Sequence, residues 1–242
     1  MLSNIEMDRF SKIQIFYDGT NVEKYGKYDW VAGFTTNTTF MVQGGRTNYP
    51  EFYNEYKELI GDRCISLQVF RDDDVEIFAD ALKITAYGPN IYVKVPIVKS
   101  NGESNTNVIL NLLENGIKVN VTAVFSPHQV TDLYHQINKN GVKTPTIVSV
   151  FAGRISDTCV NPNNIVRFVC QLFKPLDNVK ILWAGCKETL SIQHAIDTGC
   201  HIITVPDSIL DRIGRVGKDL VDFSKETANG FNKDGREAHI IL

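Results

Sequence analysis

The segment Ile91-Tyr92-Val93-Lys94-Val95-Pro96-Ile97 places one lysine in the middle of a β-type apolar run. An ammonium buried there costs free energy unless it is paired or gives up its proton. A lysine that has given up its proton is an amine nucleophile, able to form a Schiff base with a carbonyl. The alternative is an edge-strand lysine that runs its stem along the sheet and keeps its charge in water. Which applies to Lys94 depends on the elements around it.

Other residues able to do chemistry cluster at the ends of similar apolar runs. Asp18 closes the first run and Thr35-Thr36-Asn37 the second. Gln68 lies in the third, Lys94 in the fourth, Asn120 and Thr122 in the fifth. The sixth ends Ser149-Val150-Phe151-Ala152-Gly153-Arg154 and the seventh Ala184-Gly185-Cys186-Lys187. The eighth ends at Val205-Pro206, which offers no polar group. Each residue also has a structural reading: Asp18-Gly19-Thr20 as a turn, Asn37 as a helix cap, Thr36 and Thr122 as strand residues, Arg154 as a surface cation. Taken together, an acid, an amine, amides, a hydroxyl and cations suit carbonyl chemistry on a polyol bearing an anionic group.

The elements that must position these groups follow a repeated rhythm. Apolar runs at 13–18, 31–36, 64–70, 91–96, 118–124, 146–151, 179–184 and 201–206 alternate with helical patterns. The helices are expected at 49–60, 73–87, 104–115, 126–140, 161–173, 187–198 and 207–213, several of them closed by glycine. The short stretch 26–28 does not read as a full helix. Alternating strands and helices imply a parallel sheet with right-handed crossovers. Eight units favour an α/β fold of one (β/α)8 TIM barrel over an open doubly wound sheet, with residues 1–242 as a single domain. An extra C-terminal helix over about 216–231, with Leu220, Phe223 and Ala228 as apolar points, packs on the barrel or on a neighbour. A closed barrel has no edges, and its active site lies at the C-terminal ends of its strands. Alternation puts Tyr92, Lys94 and Pro96 on one face and Val93, Val95 and Ile97 on the other; Asn120 and Thr122 likewise share a face. Lys94 therefore belongs inside the barrel mouth.

Composition removes several function classes. A formal charge of −3 gives no footprint for nucleic acid or an anionic membrane. The N-terminus is polar, and no run reaches the roughly 18 apolar residues needed to span a bilayer. Five cysteines without a CxxC pair indicate neither a disulfide framework nor a zinc site, and the cytoplasm is the expected compartment. His128 and His135 could share a helix face, but no histidine spacing matches a metal motif, so neither metal nor cofactor is expected.

The segments Tyr17-Asp18-Gly19-Thr20, Phe34-Thr35-Thr36-Asn37, Gln68-Val69, Tyr92 through Pro96, Gly116 through Ser126 and Ser149 through Arg154 resemble, in order, the transaldolase family, in particular its small fructose-6-phosphate aldolase-like members. The resemblance implies that Lys94 is the Schiff-base lysine and Asp18 the acid/base at the C4 hydroxyl. Thr122 and Gln68 resemble the pair that positions a catalytic water, and Asn37 and Asn120 the amides that bind ketose hydroxyls. Ser149, Arg154 and Lys187 resemble the phosphate-binding group. The partners implied are sugar phosphates, a ketose donor and an aldose acceptor, and the implied assembly is a homo-oligomer such as a pentamer or decamer.

Three departures bear on the outcome. Gln68 stands where many transaldolases have a glutamate, and an amide orients water but cannot take its proton. Phe151 stands where the small aldolases carry a tyrosine, and a phenyl ring cannot help activate water, which points to transfer. Gly185-Cys186 replaces the family's Ser-Phe before Lys187, so one phosphate donor is missing. The expected activity is transfer of a dihydroxyacetone unit. The alternatives are an aldolase that releases dihydroxyacetone, a specialised sugar-biosynthesis enzyme, a non-catalytic sugar-phosphate-binding barrel and a phosphate-binding isomerase barrel.

Overall fold

β1 (Gln14–Asp18), β2 (Val31–Thr35), β3 (Cys64–Gln68), β4 (Ile91–Pro96), β5 (Val119–Val124), β6 (Thr146–Val150), β7 (Val179–Trp183) and β8 (Ile202–Val205) pair in parallel and in chain order, and β8 returns to β1 to close the barrel. This is a (β/α)8 barrel, seen in a computed structural model that describes residues 10–241.

Side-chain alternation divides the apolar residues into two bodies. Ile15, Leu67, Val93, Val95, Val121, Val148, Ile181 and Val205 point outward into the layer beneath the helices. Phe16, Ile147, Leu182 and Ile202 pack against each other inside the barrel. Two residues further along β1 and β8, the interior positions change to Asp18 and Thr204. The interior is thus a dry plug below and a polar mouth above, and the site lies above the plug.

The helical sheath comprises α1 (Val22–Tyr25), α2 (Thr38–Gln43), α3 (Tyr49–Ile60), α4 (Asp74–Thr85), α5 (Thr106–Glu114), α6 (Pro127–Lys139), α7 (Ala152–Ser156), α8 (Pro162–Phe173), α9 (Leu190–Thr198) and α10 (Asp207–Leu210). α5 and α6 show why the sheath holds: Ile109, Leu112, Val130, Leu133 and Ile137 recur at helical spacing and are fully buried. Each contributes about 1.5–3 kcal/mol by leaving water. α9 stops because Gly199 takes the left-handed conformation, φ 87°, which turns the chain into β8.

Several elements differ from the sequence reading, among them α1, which was not expected. α2 follows β2 directly, because Asn37 caps it through Phe40 N. α7 is a single turn in which the chain folds over the end of β6. The expected helix at 207–213 shortens to α10 and a 3-10 turn, Ile213–Arg215.

The C-terminal helix is α11 (Leu220–Glu237), started by Asp219, whose side chain accepts from the backbone N–H groups of Val221 and Asp222. It begins later and ends later than the sequence indicated. None of its residues is buried, and Leu220 and Phe231 are 80% and 73% exposed. It does not pack its apolar points into the barrel.

Candidate active site

β4 delivers Lys94 to the barrel interior, where it is 4% exposed. Its Nζ donates to the Thr36 carbonyl oxygen at 3.2 Å, and in the strand ladder its neighbours are Gln68 on β3 and Asn120 on β5. β1 delivers Asp18, 8% exposed, whose Oδ1 accepts from Thr35 Oγ1 at 2.7 Å. Burial lowers the Lys94 ammonium below the ordinary lysine range, and the Asp18 charge opposes that shift in part. Burial raises the Asp18 carboxyl, while Lys94 and the Thr35 hydrogen bond pull it back. Burial thus biases Lys94 toward the neutral amine a nucleophile needs, while the Lys94 charge and the Thr35 hydrogen bond favour the Asp18 carboxylate that can accept a proton.

The strands bring most of the expected residues to one cavity of about 220 Å³, lined by Asp18, Asn37, Lys94, Ser149, Phe151, Arg154 and Lys187 among others. Larger clefts of about 610 and 640 Å³ lie elsewhere, the second around the N-terminal ends of the strands. The smaller cavity is the candidate because it contains the buried amine and acid. Asn37 lines it while its Oδ1 caps α2, so the capping reading and the site reading both apply.

Asn120 is clamped on both sides: its Nδ2 donates to Ser66 Oγ at 2.9 Å and its Oδ1 accepts from Ser149 Oγ at 2.7 Å. Ser149 is thereby tied to the amide, whereas Arg154 and Lys187 supply the exposed positive charge. Arg154 stacks on Phe151 at 5.6 Å, and Lys187 pairs with Asp157 at 3.1 Å. Gly153 and Gly185 meet backbone to backbone beneath these cations; a Cβ on Gly153 would come within 1.6 Å of the Gly185 carbonyl oxygen. Cys186 also lines the cavity, but burial pushes its thiol up to about 11, so it stays protonated.

Thr122 is 2% exposed and its Oγ1 has no protein partner; the same holds for Thr36 Oγ1. Thr122 sits at an irregularity in β5, where the register to β6 shifts between Val121 and Val124 and Ala123 takes φ 56°. A left-handed alanine inside a strand is a strained bulge that re-aims its neighbours. Gln68 is half-buried, and its backbone carbonyl oxygen accepts from the Tyr49 hydroxyl at 3.0 Å.

The sequence reading left β8 without a polar contribution. The structure corrects this: Thr204, two residues before Pro206 and so on its face, is buried, lines the cavity and is hydrogen-bonded to Thr35 Oγ1. Period-two alternation from Pro206 was the signal that could have found it.

A closed parallel barrel with a buried lysine on β4 and a buried aspartate on β1 defines the class of site. Residues 14–240 match the family described as Transaldolase/Fructose-6-phosphate aldolase, and the chain belongs to that family. It is 30% identical over 207 residues to a "Probable transaldolase" of Nitrosopumilus maritimus (strain SCM1), covering 83% of this chain and 87% of that one. A "Probable transaldolase" of Thermoanaerobacter sp. (strain X514) is 28% identical over 234 residues, covering 95% and 100%. The tryptophan synthase alpha-subunit of Pyrococcus furiosus, solved as a mutant, is similar in fold alone, with TM-score 0.55 and 12% identity over 88% of this chain and 94% of that one. The protein is an enzyme of the transaldolase and aldolase class.

Proposed function

We propose that the protein is a Schiff-base transaldolase that moves a dihydroxyacetone unit from a ketose phosphate to an aldose phosphate. The observation that carries this reading is the sealed Lys94 amine, biased toward its neutral form in a cavity shared with Asp18. The neutral amine adds to the C2 carbonyl of the ketose. The carbinolamine loses water and leaves an iminium. Asp18 takes the proton of the C4 hydroxyl, the C3–C4 bond breaks, and its electron pair moves into the iminium to give an enamine. The aldose product leaves. The enamine carbon then attacks an incoming aldehyde, Asp18 returns its proton to the new C4 oxygen, and water hydrolyses the iminium to free Lys94 and the new ketose.

Asn37 and Asn120 hold the hydroxyls, and Arg154 with Lys187 takes the phosphate. Ser149 acts by fixing the Asn120 amide. The unpartnered Thr122 hydroxyl, with Gln68, orients the water of the dehydration and hydrolysis steps. Gly185 and Cys186 offer no side-chain hydroxyl at the phosphate end, which favours a specialised donor or acceptor over the usual pair.

Phe151 lines the cavity without a hydroxyl, and this favours transfer over free release. Gln68 favours the second reading, an aldolase that releases dihydroxyacetone. Product analysis with fructose-6-phosphate, with and without an acceptor aldehyde, separates them. Transfer predicts turnover only with acceptor; dihydroxyacetone accumulating without acceptor supports the aldolase.

The unburied apolar points of α11 support assembly into a homo-oligomer in which that helix covers a neighbouring copy. Light scattering of the intact protein at micromolar concentration tests this, and a clean monomer would contradict it.

A further inference from the structure

β1 lies between β8 and β2 in the barrel, and both flanking strands send a threonine inward beside Asp18. Thr35 is the Cα partner of Asp18, and Thr204 is the partner of Phe16, one interior step below. Thr35 Oγ1 is hydrogen-bonded to Asp18 Oδ1 at 2.7 Å and also to Thr204 Oγ1. All three side chains are buried. An ionised carboxylate has no proton to give, so Thr35 donates to Asp18. A hydroxyl has one proton, so the second bond must run from Thr204 to Thr35. With Asp18 as the carboxylate, the chain therefore runs from Thr204 to Thr35 to Asp18.

We propose that Thr35 and Thr204 form a hydroxyl relay that holds one carboxylate oxygen of Asp18, leaves the other for the substrate proton, and keeps the acid ionised in a buried site. This rests on Asp18 being the acid/base of the proposed reaction. Both threonines are positioning residues: they act through Asp18. The relay occupies Oδ1, so Oδ2 is the oxygen left to accept the proton. A donor that is itself hydrogen-bonded is polarised, which strengthens its bond to the carboxylate. The relay therefore works with the Lys94 charge against the burial that would otherwise keep Asp18 protonated. The other titratable groups around Asp18 are the neutral Cys186 thiol, and Arg154 and Lys187 along the same cavity wall. None of these supplies the hydrogen bond that Thr35 makes.

The test is the ionisation midpoint of Asp18 in the intact protein, followed as the protonated-carboxyl infrared band that Asp18→Asn removes. Thr35→Val keeps the shape and removes the donor, and is expected to raise the midpoint by about one pH unit. Thr204→Val is expected to raise it in the same direction by less, and Thr35→Ser and Thr204→Ser to restore it. The acidic limb of kcat/KM is expected to move with the band. A wild-type midpoint in both valine variants would overturn the relay. A shift in Thr35→Val alone would overturn the part assigned to Thr204. If Thr35→Val does not fold, Thr204→Val reads the same chain from its far end. The band needs no turnover, so a failed relay is distinct from a failed transaldolase reading, which appears as no sugar adduct on Lys94 in the wild type.

Discussion

Asp18 on β1 and Lys94 on β4 are the only charged side chains buried among the described residues, and they share one cavity. Each opposes the shift that burial imposes on the other. The pair is costly to bury, and such a pair persists where a site needs it.

Removing the acid separates its role from that of the amine. Asp18→Asn keeps the shape and a polar group but cannot take the C4 proton. Turnover is expected to fall about 100- to 10,000-fold. Adduct formation on Lys94 with a donor ketose is expected to survive. Steady-state rates beside adduct mass measure both, and normal turnover in this variant would remove Asp18 from the mechanism.

The depressed Lys94 pKa has a stability signature. Between that value and the ordinary lysine value of about 10.4, the unfolded chain binds a proton that the folded chain lacks. The stability contributed by this group therefore rises with pH across that window. Asp18 has the opposite sign: its raised pKa makes stability fall as pH climbs from about 3.9 to its folded value. The thermal midpoint of the wild type is expected to gain on that of Lys94→Met as pH rises through the alkaline window. Parallel curves would mean that Lys94 titrates as an ordinary surface lysine.

Ala123 stores strain beside Thr122. Its φ of 56° suits glycine and opposes a β-branched side chain. Ala123→Val is expected to lose about 1–3 kcal/mol in urea unfolding. Ala123→Gly is expected to be at least as stable as the wild type. A stable valine variant would mean that β5 has no left-handed bulge.

Gly153 and Gly185 form the floor under the two phosphate-end cations. Gly153→Ala pushes a methyl group into the Gly185 carbonyl oxygen, and overpacking of that kind costs about 1–3 kcal/mol. The displaced Lys187 loop is expected to raise KM for phosphorylated substrates more than for dihydroxyacetone. Equal KM changes for both would place the phosphate elsewhere.

The barrel was legible because each strand reads as an apolar run and the longer sheath helices as periodic patterns between breakers. Lys94 was legible because a charge in such a run is a contradiction. Thr204 was missed because β8 was read only at its last two residues, Val205 and Pro206. The bulge at Ala123 was invisible because alternation assumes an unbroken period. α2 was hidden because Thr38, Thr39, Phe40 and Val42 favour strand, while the Asn37 cap and the burial of Met41 favour the helix. α11 runs through Gly230 and Gly235, weak helix formers that mask its last turns in the sequence. The Asn120–Ser149 bond joins two strands and could not be read from either alone.

A Schiff base on Lys94 can be caught by borohydride trapping with intact-mass spectrometry and peptide mapping. With fructose-6-phosphate, sedoheptulose-7-phosphate and dihydroxyacetone offered in turn, a reduced three-carbon or whole-sugar adduct is expected on the peptide that carries Lys94, lost in Lys94→Met. A folded wild-type protein that gives no adduct with any of the three, or an adduct on a different lysine, would contradict it.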